Sequence, residues 1–489
     1  MTASFNLAAH VLARGAATPD RVAMQILRPT GAERWSFARL IAAVRGAGSG
    51  MAALGLEPGD RVLLRLGNSP EFPVAFLGAI AAGFVPVPTS AQLTGPEITA
   101  LAARLRPRLI VAGEGIALPE STAPMLAAAR LAAMADLAPC DWAMGAAERP
   151  AYIVFTSGSS GQPQAVVHAH RAILARAMMH QGWEGLGPED RLLHAGAFNW
   201  TYTLGTGLMD PWTLGATALI PGAGVTPEQL ALLLRRFDAT ILAAAPGVIR
   251  QMLRANIPAL PRLRHGLSAG ERLIPALRRA WRDATGTDLH EALGMSECST
   301  FISGSPARPA PEGTAGFPQP GRHIAVLDET GAAVTEGELA IAADDPGLML
   351  GYLDAPEATA ARLRDGWFRT GDRVRLSPEG AVEYLGRTDD QMNPGGFRVS
   401  PLEVEAALHG LPGIEELAVA EVEVAPGNRV IAAFCRAPAP LDEALLSAEA
   451  AARLARYRQP RIWQRVDALP RNANGKLDRR ALPLLWNPQ

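Results

Sequence analysis

The residues of this chain best suited to chemistry lie in five short stretches. The first is Tyr152-Ile153-Val154-Phe155-Thr156-Ser157-Gly158-Ser159-Ser160-Gly161-Gln162-Pro163-Gln164, where an apolar run empties into hydroxyls and glycines. Glycine lets backbone N–H groups approach an anion, and Ser and Thr hydroxyls add donors, so this run can cradle phosphate oxygens. No G-K-[ST] follows at the Walker spacing; a polar turn between a strand and a helix is the plainer alternative. Leu293-Gly294-Met295-Ser296-Glu297 sets a hydroxyl and a carboxylate after a glycine turn. In Trp367-Phe368-Arg369-Thr370-Gly371-Asp372, the aspartate can accept both hydroxyls of a ribose. Gly386-Arg387-Thr388-Asp389-Asp390 and Arg471-Asn472-Ala473-Asn474-Gly475-Lys476 complete the set. Taken singly, each also reads as a surface turn, a solvated carboxylate or a mobile tail.

Lys476 is the only lysine among 46 basic residues; every other is arginine. Composition bias accounts for the general replacement and not for the exception. A compact ammonium serves where a broad planar guanidinium would not.

Short apolar runs must position these groups. Residues 61–66, 108–112, 152–155, 216–220 and 241–245 read as buried strands, with helical segments such as 227–236 between them. That alternation predicts an α/β domain with mostly parallel sheets. From about His323 the texture becomes β-rich, with strands over 323–328, 338–342, 373–376 and 381–385 and a turn at 377–380. Ser400-Pro401-Leu402-Glu403 predicts a helix start with a capping box. Val404, Leu408 and Leu411 then share a face. Ala420, Val422 and Val424 alternate with Glu421 and Glu423 as in a half-buried strand.

At 489 residues, two or more domains are expected. Hydrophobic residues make up 48% and charged residues 19%, so the chain builds sizeable cores. A net charge of −2 without a basic run argues against a nucleic-acid partner. Cys140, Cys298 and Cys435 lie far apart, which argues against disulfides or zinc and for a reducing cytoplasm. Residues 72–96 carry no charge, yet Pro73, Pro86 and Pro88 interrupt them. A buried helix over 74–82 and a strand over 84–87 fit better than a membrane span. His168 and His170 lack an acidic partner spaced for metal binding and read as structural residues on a strand-to-helix turn.

Taken in order, the five stretches resemble those of the acyl-CoA synthetases, adenylation domains and luciferases that form acyl-adenylates. The loop is similar to T-S-G-[ST]-[ST]-G-x-P-K-G, Leu293–Glu297 to Y-G-x-T-E, Arg369–Asp372 to R-T-G-D, Gly386–Arg398 to G-R-x-D-D-x-I-K-x-x-G-x-R, and Pro470–Lys476 to P-[RK]-x-x-x-G-K. The resemblance covers essentially the whole chain. It implies a large N-terminal domain (1–388) of α/β subdomains plus a β-rich subdomain, and a small mobile α+β C-terminal domain (389–489).

The resemblance also implies roles. Thr156, Ser157, Gly158, Ser159, Ser160 and Gly161 would hold the phosphates of ATP, and Gly270, Glu271 and Arg272 would line the adenine. Ser296 would contact the α-phosphate, Glu297 would hold Mg²⁺, and Asp372, with Arg387 nearby, would bind the ribose. Lys476 would bridge the substrate carboxylate and α-phosphate. Asp389 would be the hinge about which the small domain swings, bringing Gly395 and Gly396 to the path of the coenzyme A thiol; Arg398 closes that motif.

The departures are Gln164 for the loop lysine, Ala165 for the next glycine, Asn393 for a lysine and Leu293 for an aromatic. Gln164 removes a charge from the triphosphate clamp and predicts weaker ATP binding. Phe198, Trp200 and Gly205 lie in a stretch of aromatics and small residues suited to an apolar acid. The segment resembles the benzoate-CoA and medium-chain acyl-CoA ligase branch, implying an aryl or medium-length carboxylate. A stand-alone enzyme that loads a carrier protein and a non-catalytic nucleotide-binding relative are the alternatives. A homodimer is a compatible assembly.

Overall fold

The computed structural model describes residues 4–156, 164–388, 392, 399–425, 428–454, 456–472 and 475–486. The chain forms two compact units: residues 1–324, 341–368 and 380–382, and residues 325–340, 369–379 and 383–489. It is a mixed α/β fold, as its alternating pattern predicts.

The first unit is built on a nine-stranded sheet. Its middle is parallel: Val22–Arg28, Thr217–Pro221, Arg191–His194, Ile241–Ala243, His265–Ala269 and Asp288–Met295 lie side by side in that order. Continuously apolar strands such as Leu192-Leu193 and Ile241-Leu242-Ala243 suit a sheet covered on both faces. Leu230, Leu233 and Leu234 on helix Leu230–Arg236 cover part of it. A smaller parallel sheet joins Val85–Pro88, Arg61–Arg65, Leu109–Ala112 and Met125–Ala127. The uncharged stretch forms buried helix Glu71–Ala81 followed by strand Val85–Pro88. No helix among the described residues is long and apolar enough to cross a membrane.

The phosphate-loop candidate departs from the strand-to-helix expectation. Pro150–Thr156 pairs antiparallel with Gln164–Ala169, so the loop is the connection of a β-hairpin. The β-branched Val166-Val167 pair favours a second strand there, and helix Ala172–Ala177 begins only afterwards.

In the second unit, Glu336–Ala342 and Val382–Arg387 both border Trp367–Leu376. Farther along, Glu416–Ala425 pairs antiparallel with Asn428–Arg436, which runs parallel to Ile462–Val466. Val404, Leu408 and Leu411 join Val419, Ile431 and Trp463 in one core, as their spacing predicts. Val424 is exposed, so the strand alternation ends at Val422. Ser400 is the N-cap and Pro401 opens the helix, but the predicted capping box does not form. The Ser400 hydroxyl donates instead to the Leu385 carbonyl at 2.6 Å, a tertiary bond that removes it from the cap.

Candidate functional site

Ligands of open α/β sheets bind beyond the C-terminal strand ends, where the strand order reverses. Here the reversal falls at Arg191–His194: the next strand in the chain lies on one side and the one after it on the other. The segment carrying Phe198 and Trp200 leaves that strand. Gly270, Glu271 and Arg272 leave His265–Ala269, and Ser296 and Glu297 leave Asp288–Met295. These groups therefore share one edge of the parallel sheet.

Ser296 and Glu297 sit on a tight hairpin turn in which Met295 faces Ser299. A Cβ at Gly294 would lie 2.4 Å from the Ser299 carbonyl, which is why glycine precedes the turn. The turn is braced from several sides. His168 Nε2 lies 2.8 Å from the Ser296 carbonyl, and Tyr352 Oη donates to Glu297 Oε1 at 2.7 Å. Arg322, paired with Asp345 at 2.7 Å, donates to the carbonyls of Cys298 and Thr300, and both members of the ion pair are buried. His168 lies within strand Gln164–Ala169 rather than on the strand-to-helix turn, and its predicted structural role takes a specific form. Burial pushes its pKa down to about 4, keeping it neutral. His170 Nδ1 accepts the Leu7 N–H at 2.9 Å.

Thr156 and Gln164 face each other across the mouth of the loop. The departure from the lysine pattern therefore lies at the base of the hairpin. Gly270 adopts φ +96°, a left-handed turn that redirects the chain after its strand. The following segment is held by Glu291 Oε1, which accepts the Leu273 N–H at 2.9 Å. Burial raises the Glu291 pKa to about 7.

Phe198 is buried and packs against Phe72, with ring centroids 5.0 Å apart. Asn68 clamps its loop: its amide donates to the Gly196 carbonyl at 2.7 Å and its carbonyl accepts the Phe198 N–H at 3.1 Å. The Trp200 carbonyl accepts the Leu204 N–H at 2.8 Å, at the start of helix Thr201–Leu204. Gly205 is not bordered by open space: a Cβ there would meet the Arg176 guanidinium at 1.8 Å. Arg176 is buried and donates to Asp210 at 2.8 Å and Thr206 at 3.1 Å, and also to Ser299. Glu184 is buried close by, and burial together with the Asp210 charge raises its pKa well above the usual carboxylate range. Sequence reading missed Tyr352, Asn68, Arg322 and Arg176, whose partners lie 22 to 130 residues away.

In the second unit, Asp372 and Arg387 come together, with Arg387 Nη1 3.3 Å from Asp372 Oδ1 and 3.0 Å from the Thr370 carbonyl. Gly371 adopts φ +76°, and its N–H donates to Glu338 at 2.9 Å. Asp372 is 6% exposed. Lys476 closes a tight turn: Asn472 Oδ1 accepts its N–H at 3.1 Å, and its carbonyl accepts the Asn472 N–H at 2.8 Å. Ser157, Gly158, Ser159, Ser160, Gly161, Asp389, Asn393, Gly395, Gly396 and Arg398 lie outside the described residues.

Among the described residues, no three His, Cys, Asp or Glu side chains cluster as a protein-built metal cage. A lone carboxylate at Glu297 suits Mg²⁺ that arrives with a nucleotide, since that ion binds through one or two carboxylates plus phosphate oxygens.

The family model for the AMP-binding enzyme matches residues 11–353, and that for the AMP-binding enzyme C-terminal domain matches residues 403–476. This chain belongs to the AMP-binding enzyme family. It is 30% identical to a 3-hydroxybenzoate–CoA ligase of Aromatoleum sp. (strain CIB), over 92% of this chain and 91% of the relative. It is 32% identical to a benzoate–CoA ligase of Thauera aromatica, over 91% and 90% of the two chains. The solved structure of ATP-bound MatB from Rhodopseudomonas palustris matches with TM-score 0.89 at 26% identity, covering 99% of each chain.

Proposed function

We propose that this AMP-binding enzyme is an acid–thiol ligase that activates an aryl or medium-length carboxylic acid with ATP and passes the acyl group to coenzyme A. The observation that carries the reading is the shared sheet edge bearing the adenine segment, the Ser296–Glu297 turn and the Phe198 loop. The relatives named as CoA ligases over nine-tenths of this chain support it, and ATP is supported by the nucleotide-bound neighbour.

In the first half-reaction a carboxylate oxygen of the acid attacks the α-phosphorus and pyrophosphate leaves. The hydroxyls and amides from Thr156 to Gly161 hold the departing phosphates, Ser296 contacts the α-phosphate, and Asp372 holds the ribose beside Arg387. Lys476 supplies positive charge between the carboxylate and the α-phosphate as the transition state forms. Glu297 would hold Mg²⁺, which would supply charge to neutralise the phosphates. In the second half-reaction the coenzyme A thiol, passing Gly395 and Gly396, attacks the acyl carbon; the C–S bond forms, the acyl C–O bond to AMP breaks, and the thiol proton is released to solvent as AMP leaves. We assign residues 1–388 to the nucleotide and acyl domain and 389–489 to the domain carrying Lys476, hinged at Asp389. A reducing cytoplasm suits the three free cysteines.

The test is pyrophosphate release with a panel of aryl and C4–C10 straight-chain acids, each with and without coenzyme A. Acid-dependent release with a thioester of matching mass is expected. Release without a thioester would overturn the choice of acceptor, and no release from folded protein would overturn the reading.

A further inference from the structure

We propose that Tyr352 is a positioning residue for Glu297, tying the carboxylate of that turn to the strand that leaves the phosphate loop. The proposal rests on the assignment of Glu297 to the nucleotide-bound cation. The tyrosine does not come from a motif that marks chemistry; it follows Leu350 and Gly351 in a short apolar run. Its place in the fold gives it two attachments. Through its backbone, Gly351–Tyr352 forms the third strand of the phosphate-loop sheet, with Gly351 opposite Val167 and Tyr352 opposite Val166. Leu350 and Leu353 extend the connection by donating to the carbonyls of Val167 and Ala165, each at 2.8 Å. Through its side chain, Tyr352 donates its phenol hydrogen to Glu297 Oε1 at 2.7 Å. The backbone closes the link a second time, because the Met349 N–H donates to the Glu297 carbonyl at 2.8 Å.

The chemistry explains why a tyrosine suits this place. A glutamate has three rotatable bonds, and an unrestrained carboxylate loses that freedom whenever it binds a cation. A rigid phenol with a short O–H···O contact restricts the search beforehand. It engages Oε1 as a neutral donor, so it lowers no carboxylate charge, and it accepts no role as a ligand itself. The Tyr352 N–H is in turn fixed by Thr359 Oγ1 at 2.9 Å, at the first turns of helix Pro356–Arg362. The Glu297 carboxylate is thus oriented by the Gly351–Tyr352 strand, which pairs with Val166 and Val167 on the strand that follows the loop. The carboxylate would then keep a fixed place relative to the strand Gln164–Ala169, which the Ser296–Glu297 turn could not set alone.

The experiment compares wild type, Tyr352→Phe, Glu297→Gln and the double variant. Mn²⁺ serves as the paramagnetic probe, and its binding to the enzyme with α,β-methylene-ATP is followed by electron paramagnetic resonance. Melting temperatures are recorded alongside, and the phenylalanine ring preserves packing. Tyr352→Phe should weaken Mn²⁺ binding roughly 10-fold, the loss expected for one hydrogen bond to a charged group. It should raise the KM for ATP and leave the KM for the acid unchanged. Glu297→Gln should weaken Mn²⁺ binding at least as much, and adding Tyr352→Phe to it should cost little more. Unchanged Mn²⁺ binding in Tyr352→Phe, with Glu297→Gln impaired, would overturn the positioning role and leave the ligase reading intact. Additive losses in the double variant would also overturn it, because the two residues would then act independently. Unchanged binding in Glu297→Gln would instead remove the cation assignment on which the proposal stands.

Discussion

Replacing Asp372 by Asn tests the ribose assignment with little disturbance of the fold. The side chain keeps its volume and is 6% exposed. Its ion-pair partner Arg387 retains the Thr370 carbonyl at 3.0 Å and is about one-quarter exposed. Loss of the pair should therefore cost under about 1 kcal/mol of stability, as for partly solvated pairs. The nucleotide should suffer far more. A carboxylate can accept both ribose hydroxyls, whereas an asparagine amide offers one oxygen and turns an NH₂ donor toward the second hydroxyl. Losing one hydrogen bond to a charged acceptor is worth about 1.5–3 kcal/mol, or roughly 10- to 150-fold in affinity. The assay is acid-dependent ATP–pyrophosphate exchange with ATP, 2′-deoxy-ATP and 3′-deoxy-ATP. Wild type should discriminate against a deoxy nucleotide by a factor in that range, and Asp372→Asn should discriminate much less. The KM for the acid should stay within twofold. Equal discrimination in both enzymes, or a change confined to the acid, would refute the reasoning.

Three further outcomes are expected. Lys476→Ala should abolish adenylate formation yet spare thioester formation from a preformed acyl-adenylate; equal loss in both steps, measured by rapid quench, would exclude the assigned role. Arg176→Met would leave Asp210 and Glu184 buried without their cation and should destabilise the first unit by about 3–5 kcal/mol, read as a lowered urea midpoint; a loss under about 1 kcal/mol would show that the pair is not needed. Stability should rise with pH between 4 and 6.5: burial depresses the pKa of His168 and His290 to about 4 and of His170 and His194 to about 3, so unfolded histidines take up protons that folded ones refuse. Glu291, raised to about 7, acts with the opposite sign, its contribution present below its unfolded pKa and lost as pH rises through about 7. Glu291→Gln should therefore steepen the climb in melting temperature, and an unchanged profile would deny Glu291 that ionisation.

The elements that sequence made legible are those set by local pattern. Continuous apolar runs marked the parallel strands, and uncharged residues 72–96 resolved into a helix and strand because prolines bar a long helix. Asp372 and Arg387 were recognisable from separate motifs, and they meet because two neighbouring strands carry them. What stayed hidden depends on partners far apart in sequence. Tyr352 lies 55 residues from Glu297, His168 lies 128 from Ser296, and Asn68 lies 130 from Phe198. No local spacing encodes such pairs. The capping box failed for the same reason, because the Ser400 hydroxyl found the Leu385 carbonyl. The glycine–serine loop joins a hairpin for a local reason, the β-branched run that follows it. Gly205 lies in a stretch whose composition suits an apolar acid, and a guanidinium from a distant helix occupies the place a Cβ there would take.

The most direct measurement follows oxygen from the acid to the nucleotide. An accepted acid carrying ¹⁸O in both carboxylate oxygens is turned over with ATP and coenzyme A, and the AMP is weighed by mass spectrometry. If a carboxylate oxygen attacks the α-phosphorus and the thiol then expels AMP, each AMP formed carries one ¹⁸O and the thioester keeps the other. AMP without label, or ADP and orthophosphate as the products, would contradict an acyl-adenylate path.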